Sequence, residues 1–332
     1  MSATPCDAPG TSTAEPLVFT KTVKKKQRSF ELPAALAPLA DTHAHLTCFW
    51  SRAPEDALVR AAQAGVQALV TLWDPIADGF ESFAAYRLWL DEVLAQARAA
   101  AARAGASLGL FDRVRFLAGV HPYGAPDFMS HEAEVLDQLR AALADPRCAG
   151  VGEIGLDYHF DADDNIEAAP HDVQIACMER QLALAREESV PVELHLRNDT
   201  GDEAREAHAD ALRVLQARGV PAAGCVLHCF TEDKPTMERF VGQGCFIAFG
   251  GAATFKRNEG IRAAFAACPL DRVLFETDCP YMAPEPLRGI ECEPALIGFT
   301  VDALARDRAS RTGEAPLSIA LAAWDNAQRL FW

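Results

Sequence analysis

The strongest constraint on the fold is a repeated alternation of short apolar runs with longer helix-like stretches. The stretch PEDALVRAAQAG is typical of a helix, because it opens on Pro54 with acids behind it and ends at Gly65. Strands that alternate with helices pair in parallel through right-handed crossovers. Eight such runs predict an α/β protein with a closed (β/α)8 barrel of the TIM type. They span residues 39–46, 65–72, 113–122, 148–157, 190–197, 224–230, 244–251 and 272–280.

An open, doubly wound parallel sheet is the alternative fold. That fold binds nucleotides through a glycine-rich loop after its first strand. Neither a GxGxxG nor a P-loop motif follows the first apolar run, which lowers this alternative. The barrel interpretation makes residues 37–332 a single domain.

The segment of residues 1–36 differs in composition from the rest of the chain. It is rich in Pro, Ser, Thr and Ala and then carries the basic sequence TKTVKKKQR. Such a segment buries too little apolar surface to offset the entropy of ordering it, so a disordered, solvated tail is predicted. A basic arm that helps to hold nucleic acid is the less favoured alternative.

Net charge and cysteine usage limit the classes of function. A formal charge of -16 and a pI near 5.0 argue against a protein that coats nucleic acid or an anionic membrane. They still permit an enzyme that touches a few nucleotides in a metal-lined cleft. The ten cysteines form no CxxC motif, which predicts reduced thiols and a cytoplasmic protein. No secretory signal or membrane span is expected.

The first apolar run, LADTHAHL, carries three polar residues at alternating positions. In a strand Asp41, His43 and His45 would point to one face, where two imidazoles can share one metal ion. Active sites of such barrels lie at the carboxyl ends of the strands. The ends of the other runs carry further ligand types, so a metal site is predicted there. The proposed ligands are His43, His45, Glu153, His195, His228 and Asp278.

The composition of this ligand set indicates the metal. Imidazole and carboxylate without thiolate suit Mg, Mn, Fe or Zn. Six ligands are too many for one ion that keeps an open position, so two divalent ions are expected, bridged by Glu153. Asp278 would bind one ion and accept a proton from the attacking water as general base.

Four further residues are candidates for contacts with substrate. His121, in the sequence GVHPY, is either a catalytic neighbour of the metals or a packing residue. Arg197, Arg288 and Lys256 follow strand-like runs and would either hold a phosphate or remain surface charges. Glu276 lies inside the last run and has no assigned role.

Several short motifs together resemble the TatD family of metal-dependent deoxyribonucleases. They are DTHAHL, AGVHP, GEIGLDY, HLR, HCF, GGAATFK and ETDCPYMAPEPLRG, in the family's order from about residue 39 to the end. The resemblance implies a barrel hydrolase with a divalent metal pair that acts as a magnesium-dependent exonuclease from the 3′ end of DNA. It implies the same six ligands, with His121 and Arg197 near the substrate phosphate.

Departures from the family pattern concern the substrate more than the metals. Glu232 stands where the family commonly has glycine, and Cys292 where it has asparagine. An added acid near the site would disfavour a polyanion unless it points away. The Ala-rich stretch near 80–112 looks like an addition.

Three functions therefore remain open at the level of sequence. The first is a phosphodiesterase, specifically a 3′–5′ deoxyribonuclease acting on a short or single-stranded DNA end. The second is an amide or ester hydrolase on a small or aminoacyl-tRNA-type substrate, since activated water attacks carbonyl carbon as well as phosphorus. The third is a non-catalytic barrel that serves as a binding module. The sequence specifies no oligomeric state.

Overall fold

Strands and helices alternate along the chain in the computed structural model, which describes residues 17–160 and 168–332. The strands are β1 (Val18–Val23), β2 (Lys26–Glu31), β3 (Leu39–Asp41), β4 (Val66–Trp73), β5 (Val114–Ala118), β6 (Cys148–Asp157), β7 (Val192–Arg197), β8 (Cys225–Leu227), β9 (Phe246–Phe249) and β10 (Val273–Phe275). The helices are α1 (Pro54–Gln63), α2 (Phe83–Arg103), α3 (Ala125–Ser130), α4 (Glu132–Leu143), α5 (His171–Glu187), α6 (Glu206–Arg218), α7 (Lys234–Val241), α8 (Glu259–Ala267), α9 (Ile297–Thr312) and α10 (Pro316–Phe331).

Strands β3 to β10 form one parallel sheet of eight strands, in which each strand pairs with the next one in the chain. The two edge strands meet just beyond their ends. The backbone N–H of Thr42 donates to the Phe275 carbonyl over 3.2 Å, and that of His45 to the Cys279 carbonyl over 2.8 Å. These bonds close the sheet, so the predicted (β/α)8 TIM-type barrel is confirmed.

The interior of the barrel is filled at one end and open at the other. Small side chains such as Ala68 and Ala248 meet Leu330 and Phe331 of α10 inside it. The side chain of Asn326 also donates to the carbonyl of Val273, where β10 begins. Helix α10 therefore covers the end at which the strands start, and only the carboxyl ends of the strands face an open cleft.

Helix α2 accounts for most of the Ala-rich stretch. It joins β4 to β5 and buries Phe83, Tyr86, Leu90, Val93, Ala97 and Ala101, which recur three or four residues apart. This is the spacing of one apolar face of a helix, so most of the stretch forms a crossover helix that packs on the barrel. None of the described helices is both long and apolar enough to cross a membrane.

The amino-terminal segment departs from the predicted disorder over part of its length. Strands β1 and β2 form an antiparallel hairpin, hereafter the basic hairpin (residues 18–31). Phe19 anchors it, because this buried ring packs edge-on against Phe299 at 5.8 Å and lies under the Arg60 guanidinium at 4.6 Å. One buried aromatic residue in a polar segment was too weak a signal to predict this order. Residues 1–16 of the predicted tail lie outside the described residues.

Candidate metal centre

Glu153 lies at the centre of the open end of the barrel, near the end of β6. Its Oε1 atom is 2.5 Å from Nδ1 of His195 and 2.7 Å from Nε2 of His228. Its Oε2 atom is 3.7 Å from Nε2 of His43 and 3.6 Å from Nε2 of His45. The carboxylate thus has one oxygen towards each pair of histidines, which is the arrangement expected of a bridging ligand.

Asp278 completes the side of the cluster that contains His43 and His45. Its Oδ1 atom is 3.7 Å from Nε2 of His43 and 3.5 Å from Nε2 of His45. Those two nitrogens are 3.0 Å apart. The backbone N–H of Asp278 donates to the His43 carbonyl over 3.0 Å, so closure of the barrel itself sets this distance. The structure therefore brings all six predicted ligands together.

Asp41 does not join this cluster. Its carboxylate accepts hydrogen bonds from the Thr277 backbone N–H at 2.9 Å and from the Thr277 hydroxyl at 2.7 Å. It ties β3 to the segment after β10 and so supports closure of the barrel. Burial raises the pKa of Asp41 to about 7.

A close approach of two strands aligns Glu153 with His195. An ideal Cβ at Gly155 would lie 2.0 Å from the His195 carbonyl oxygen, and the glycine has a φ of +146°. No other residue fits there without moving β6 away from β7. The GEIGLD motif therefore serves the geometry of the site as well as its chemistry.

Buried carboxylates lie behind the histidines, on the ring nitrogens that face away from the cluster. Glu193 Oε1 is 2.6 Å from His43 Nδ1, and Asp157 Oδ2 is 3.1 Å from His195 Nε2. Glu276 Oε1 is 3.9 Å from His228 Nδ1, too far for a hydrogen bond, and accepts one from the Cys229 backbone N–H instead. A carboxylate in this position orients a metal-ligating histidine and fixes which nitrogen carries the proton.

These supporting carboxylates were not predicted from the sequence, although the positions of two of them carry a signal. Glu193 lies two residues before His195, and Glu276 two residues before Asp278. Because side chains of a strand alternate, each shares the inward face with its neighbour. Both are fully buried, and burial raises the pKa of both well above the ordinary range.

The electrostatics of the cluster suit a cation. Burial, reinforced by His228, lowers the pKa of His43 well below its usual value. Burial opposes ionisation of Glu153, but His228 and His195 outweigh it and hold its pKa well below the ordinary range. Neutral imidazole and ionised carboxylate are the forms that ligate metals. Against the effect of burial, Glu153 and Asp157 raise the pKa of His195 to about 10, so the cluster favours positive charge.

The donor set fits divalent metal ions. Among the described residues, four overlapping groups each offer three donor atoms within 4.8 Å of one another, and they are His43–His228–Asp278, His43–His45–Glu153, His121–Glu153–His195 and His43–Glu193–Glu276. The nearby thiols do not compete, because burial raises the pKa of Cys229 and Cys279 well above the usual value and disfavours the thiolate. The predicted ligand chemistry of imidazole and carboxylate therefore agrees with the arrangement.

A cleft of about 580 Å³ opens over the cluster. His121 and Arg197, the two residues predicted to lie near the substrate phosphate, are among its lining residues. His121 Nε2 is 4.0 Å from Glu153 Oε1, and burial lowers its pKa to about 3, so it is a neutral group. Arg197 is 46% exposed, with Nη1 4.0 Å from Asp157 Oδ2.

Arg288 and Lys256 are absent from the described lining of the cleft. The Arg288 guanidinium lies over the ring of Phe255 at 4.3 Å. Lys256 is the next residue along and is exposed. Stacking on Phe255 therefore holds Arg288 on the rim of the cleft. The predicted contact of Arg288 with a phosphate inside the cleft is not formed in this arrangement.

The two departures from the family pattern have local explanations. Glu232 accepts hydrogen bonds from Arg205 Nε at 2.6 Å and from Asn198 Nδ2 at 2.9 Å. Its charge is thus paired beside the cleft. Cys292 is fully buried in the core.

Comparison with known proteins relates this fold and site to one family. The model of the TatD-related DNases matches residues 40–332. An uncharacterized metal-dependent hydrolase of Bacillus subtilis, YabD, is 29% identical over 88% of the chain and 98% of its own length. The 3′–5′ ssDNA/RNA exonuclease TatD of Erwinia tasmaniensis is 32% identical over 64% of the chain and 76% of its own length.

A solved structure supports the same relationship. The crystal structure of YjjV, a TatD homologue from Escherichia coli, superposes with a TM-score of 0.67 at 28% identity. The superposition covers 89% of the present chain and 98% of YjjV. The likeness therefore extends over the whole barrel rather than over isolated motifs.

Proposed function

Because this chain belongs to the TatD family of metal-dependent hydrolases, we propose that it is a deoxyribonuclease that removes nucleotides from the 3′ end of single-stranded DNA. The observation that carries the proposal is Glu153, whose two oxygens face two separate pairs of histidines. Such a bridge is typical of two-metal sites that cleave phosphate esters. The Erwinia relative is a 3′–5′ exonuclease on ssDNA and RNA, which supports the same substrate class.

Each residue of the cluster has a separate task in this proposal. His43, His45 and Asp278 would hold one divalent ion, His195 and His228 the other, and Glu153 both. Divalent ions supply a lowered pKa for water and stabilise charge on the phosphate and its leaving oxygen. Asp278 takes the proton from the attacking water, because its carboxylate lies at the cluster and faces the cleft. His121 and Arg197 hold the phosphate.

One observation favours hydrolysis of an amide or ester of a small or aminoacyl-tRNA-type substrate as the second candidate. Among the described residues that line the cleft, Arg197 is the only lysine or arginine. Asp74 and Asp78 add carboxylates to the same cleft. Acid-rich walls suit a substrate with less negative charge than DNA, and the same activated water attacks a carbonyl carbon.

The test is magnesium-dependent release of nucleotides from 3′-labelled single-stranded DNA. The wild type should release label, and Asp278→Asn should lower the rate by about 10²–10⁴-fold, the usual contribution of a general base. Asn suits this position, because Asp278 has a φ of +55° and asparagine tolerates that conformation. Asp325→Asn, on the exposed face of α10, is the matched control and should retain the wild-type rate.

The outcomes separate the candidates. Release of label from the 5′ end alone would overturn the proposed polarity. An absence of release by folded, metal-loaded wild type would overturn the nuclease proposal and favour the ester alternative, to be tested with small esters and aminoacyl substrates. An Asp278→Asn variant as fast as the wild type would remove Asp278 from the role of base.

A further inference from the structure

We propose that the basic hairpin is an accessory phosphate-binding arm that holds the backbone of single-stranded DNA beside the cleft. This inference rests on the proposed nuclease function, and it supplies what the acid-rich cleft lacks. The hairpin carries Lys21, Lys24, Lys25, Lys26 and Arg28 against a single carboxylate, Glu31, in a chain whose net charge is -16. Positive charge is thus concentrated where the rest of the molecule repels a polyanion.

The cations at the tip of the hairpin are available to a ligand. Lys24, Lys25, Lys26 and Arg28 are all exposed. Among the residues that the structure describes, none of these four forms an ion pair. Other arginines of the chain are paired, for example Arg98 with Asp112 and Arg218 with Glu179. Unpaired cations on one small element retain their full attraction for phosphate.

The hairpin is held against the rim of the cleft. The Lys21 ammonium donates to the carbonyl of Arg288 and lies 3.5 Å from that of Pro286. Both belong to the loop that follows Asp278, and the first part of this loop, Tyr281 and Met282, lines the cleft. The turn lies three residues beyond Lys21, about 10 Å along an extended strand.

The same rim explains the position of two residues that were predicted to bind phosphate. Arg288 and Lys256 lie outside the cleft, but Arg288 is joined to the hairpin through Lys21 and to Phe255 through its guanidinium. Lys256 and Arg257 follow Phe255 and are exposed. The hairpin is thus joined through Lys21 to a loop that adds the exposed cation of Arg288, and Arg288 stacks on the ring beside Lys256 and Arg257.

The turn of the hairpin gives independent support. Val23 pairs with Lys26, so Lys24 and Lys25 form a two-residue turn with φ angles of +48° and +64°. This type of turn strongly prefers Asn-Gly, because both positions need left-handed backbone conformations. Two lysines at these positions make the turn less stable than Asn-Gly would. A residue that is unfavourable for local structure is expected where it serves a function.

The experiment removes the charge while improving the turn. The double variant Lys24→Asn/Lys25→Gly installs the preferred turn residues, so the hairpin stays folded. The matched control, Arg103→Gln/Arg186→Gln, loses two exposed cations near the carboxyl ends of α2 and α5. Those helix ends lie at the opposite end of the barrel, because the helices run antiparallel to the strands.

Binding of a labelled 20-nucleotide single strand is measured by fluorescence anisotropy, in chelator to prevent hydrolysis. Single-stranded DNA binding depends on salt with a slope of about -0.7 per phosphate contact. The salt slope of the hairpin variant should therefore be smaller in magnitude than that of the wild type by about 1.4. If the affinities of the two proteins converge at 1 M salt, the variant should bind about 25-fold more weakly at 0.1 M. The control should bind as the wild type does.

Turnover separates this inference from the nuclease proposal. With magnesium, the hairpin variant should show a raised KM for the 20-mer and an unchanged rate on bis-p-nitrophenyl phosphate, which is too small to reach the hairpin. If the hairpin variant and the wild type have equal salt slopes and nuclease activity is intact, the proposed role of the hairpin is wrong but the proposed nuclease function stands. If wild type, hairpin variant and control all lack nuclease activity but hairpin-dependent, salt-dependent binding is retained, the proposed nuclease function is wrong and the binding role of the hairpin stands. Hairpin-dependent binding to anionic vesicles but not to DNA would overturn DNA as the partner.

Discussion

At the scale of single residues, the carboxylates on the outer nitrogens of His43 and His195 distinguish this cluster from a chance group of polar side chains. Glu193 is the clearest example, since it is fully buried and lies 2.6 Å from His43 Nδ1. A proton held between these two atoms leaves His43 Nε2 free to face the cluster. Glu193 is thus a positioning residue, which acts on the metal through His43.

Glu193→Gln should weaken metal binding without changing the fold. Gln keeps the shape of the side chain but cannot exchange the proton that lies between Glu193 Oε1 and His43 Nδ1, and changes of this kind typically cost 10–100-fold in metal affinity. Calorimetric titration with Mn²⁺ measures the effect, and circular dichroism checks the fold. The control is Glu188→Gln, an exposed carboxylate at the end of α5. An unaltered Kd in the Glu193→Gln protein would show that His43 needs no such partner.

At the scale of elements, the basic hairpin shows how little apolar contact is needed to order a short segment. A two-stranded hairpin is marginal in water by itself. Here Phe19 inserts between Phe299 and Arg60, and Leu32 packs so closely on Gly298 that a Cβ there would lie 2.9 Å from its Cδ1 atom. The order of the hairpin therefore depends on α1 and α9 rather than on its own strands.

Phe19→Ala should release the hairpin and leave the barrel folded. Removing the ring deletes the main contact of the hairpin with the barrel, so Lys24, Lys25 and Lys26 should become at least tenfold more susceptible to trypsin. The melting temperature should fall by a few degrees without loss of the barrel, because Phe19 is one ring at the edge of a much larger apolar core. Thr20→Ala, at the neighbouring exposed position, should be cleaved at the wild-type rate. Slow cleavage of both variants would mean that other contacts hold the hairpin.

At the scale of the whole molecule, the cluster joins strands from all around the barrel. His43 and His45 follow β3, Glu153 lies on β6, His195 on β7, and Asp278 follows β10. An ion held by residues so distant in sequence binds the folded chain far better than the unfolded one. Binding of an ion at the proposed site would therefore contribute directly to the stability of the fold.

Chelation should lower the melting temperature, and excess Mn²⁺ should restore it. An ion present at 100 times its Kd stabilises a site by about 2.7 kcal/mol, which for a chain of this size corresponds to several degrees. Scanning calorimetry with EDTA or Mn²⁺ measures the shift. His43→Ala/His45→Ala should lose at least half of it, whereas His131→Ala, an exposed histidine before α4, should retain it in full. An equal shift in the double variant would place the stabilising ion elsewhere.

Much of the architecture was predictable because its determinants are local. Apolar runs bounded by turn residues mark strands, and the eight runs correspond to β3–β10. The predicted ends of the strands were less accurate, since β3 stops at Asp41 whereas the first run was expected to continue to residue 46. The six proposed ligands could be selected as neighbours because polar residues at strand ends stand out against apolar neighbours, and strand ends meet at one edge of a barrel.

The amino-acid sequence by itself determined the alternation of strands and helices and the donor types at the strand ends. Only the tertiary structure decided which oxygen of Glu153 faces which histidines, that Asp41 binds Thr277, and that Arg288 stays on the rim. Each depends on the stagger of neighbouring strands, on barrel closure or on a ring from another segment. Spacing along a chain reveals local periodicity, but contacts between distant segments form only when the whole barrel closes.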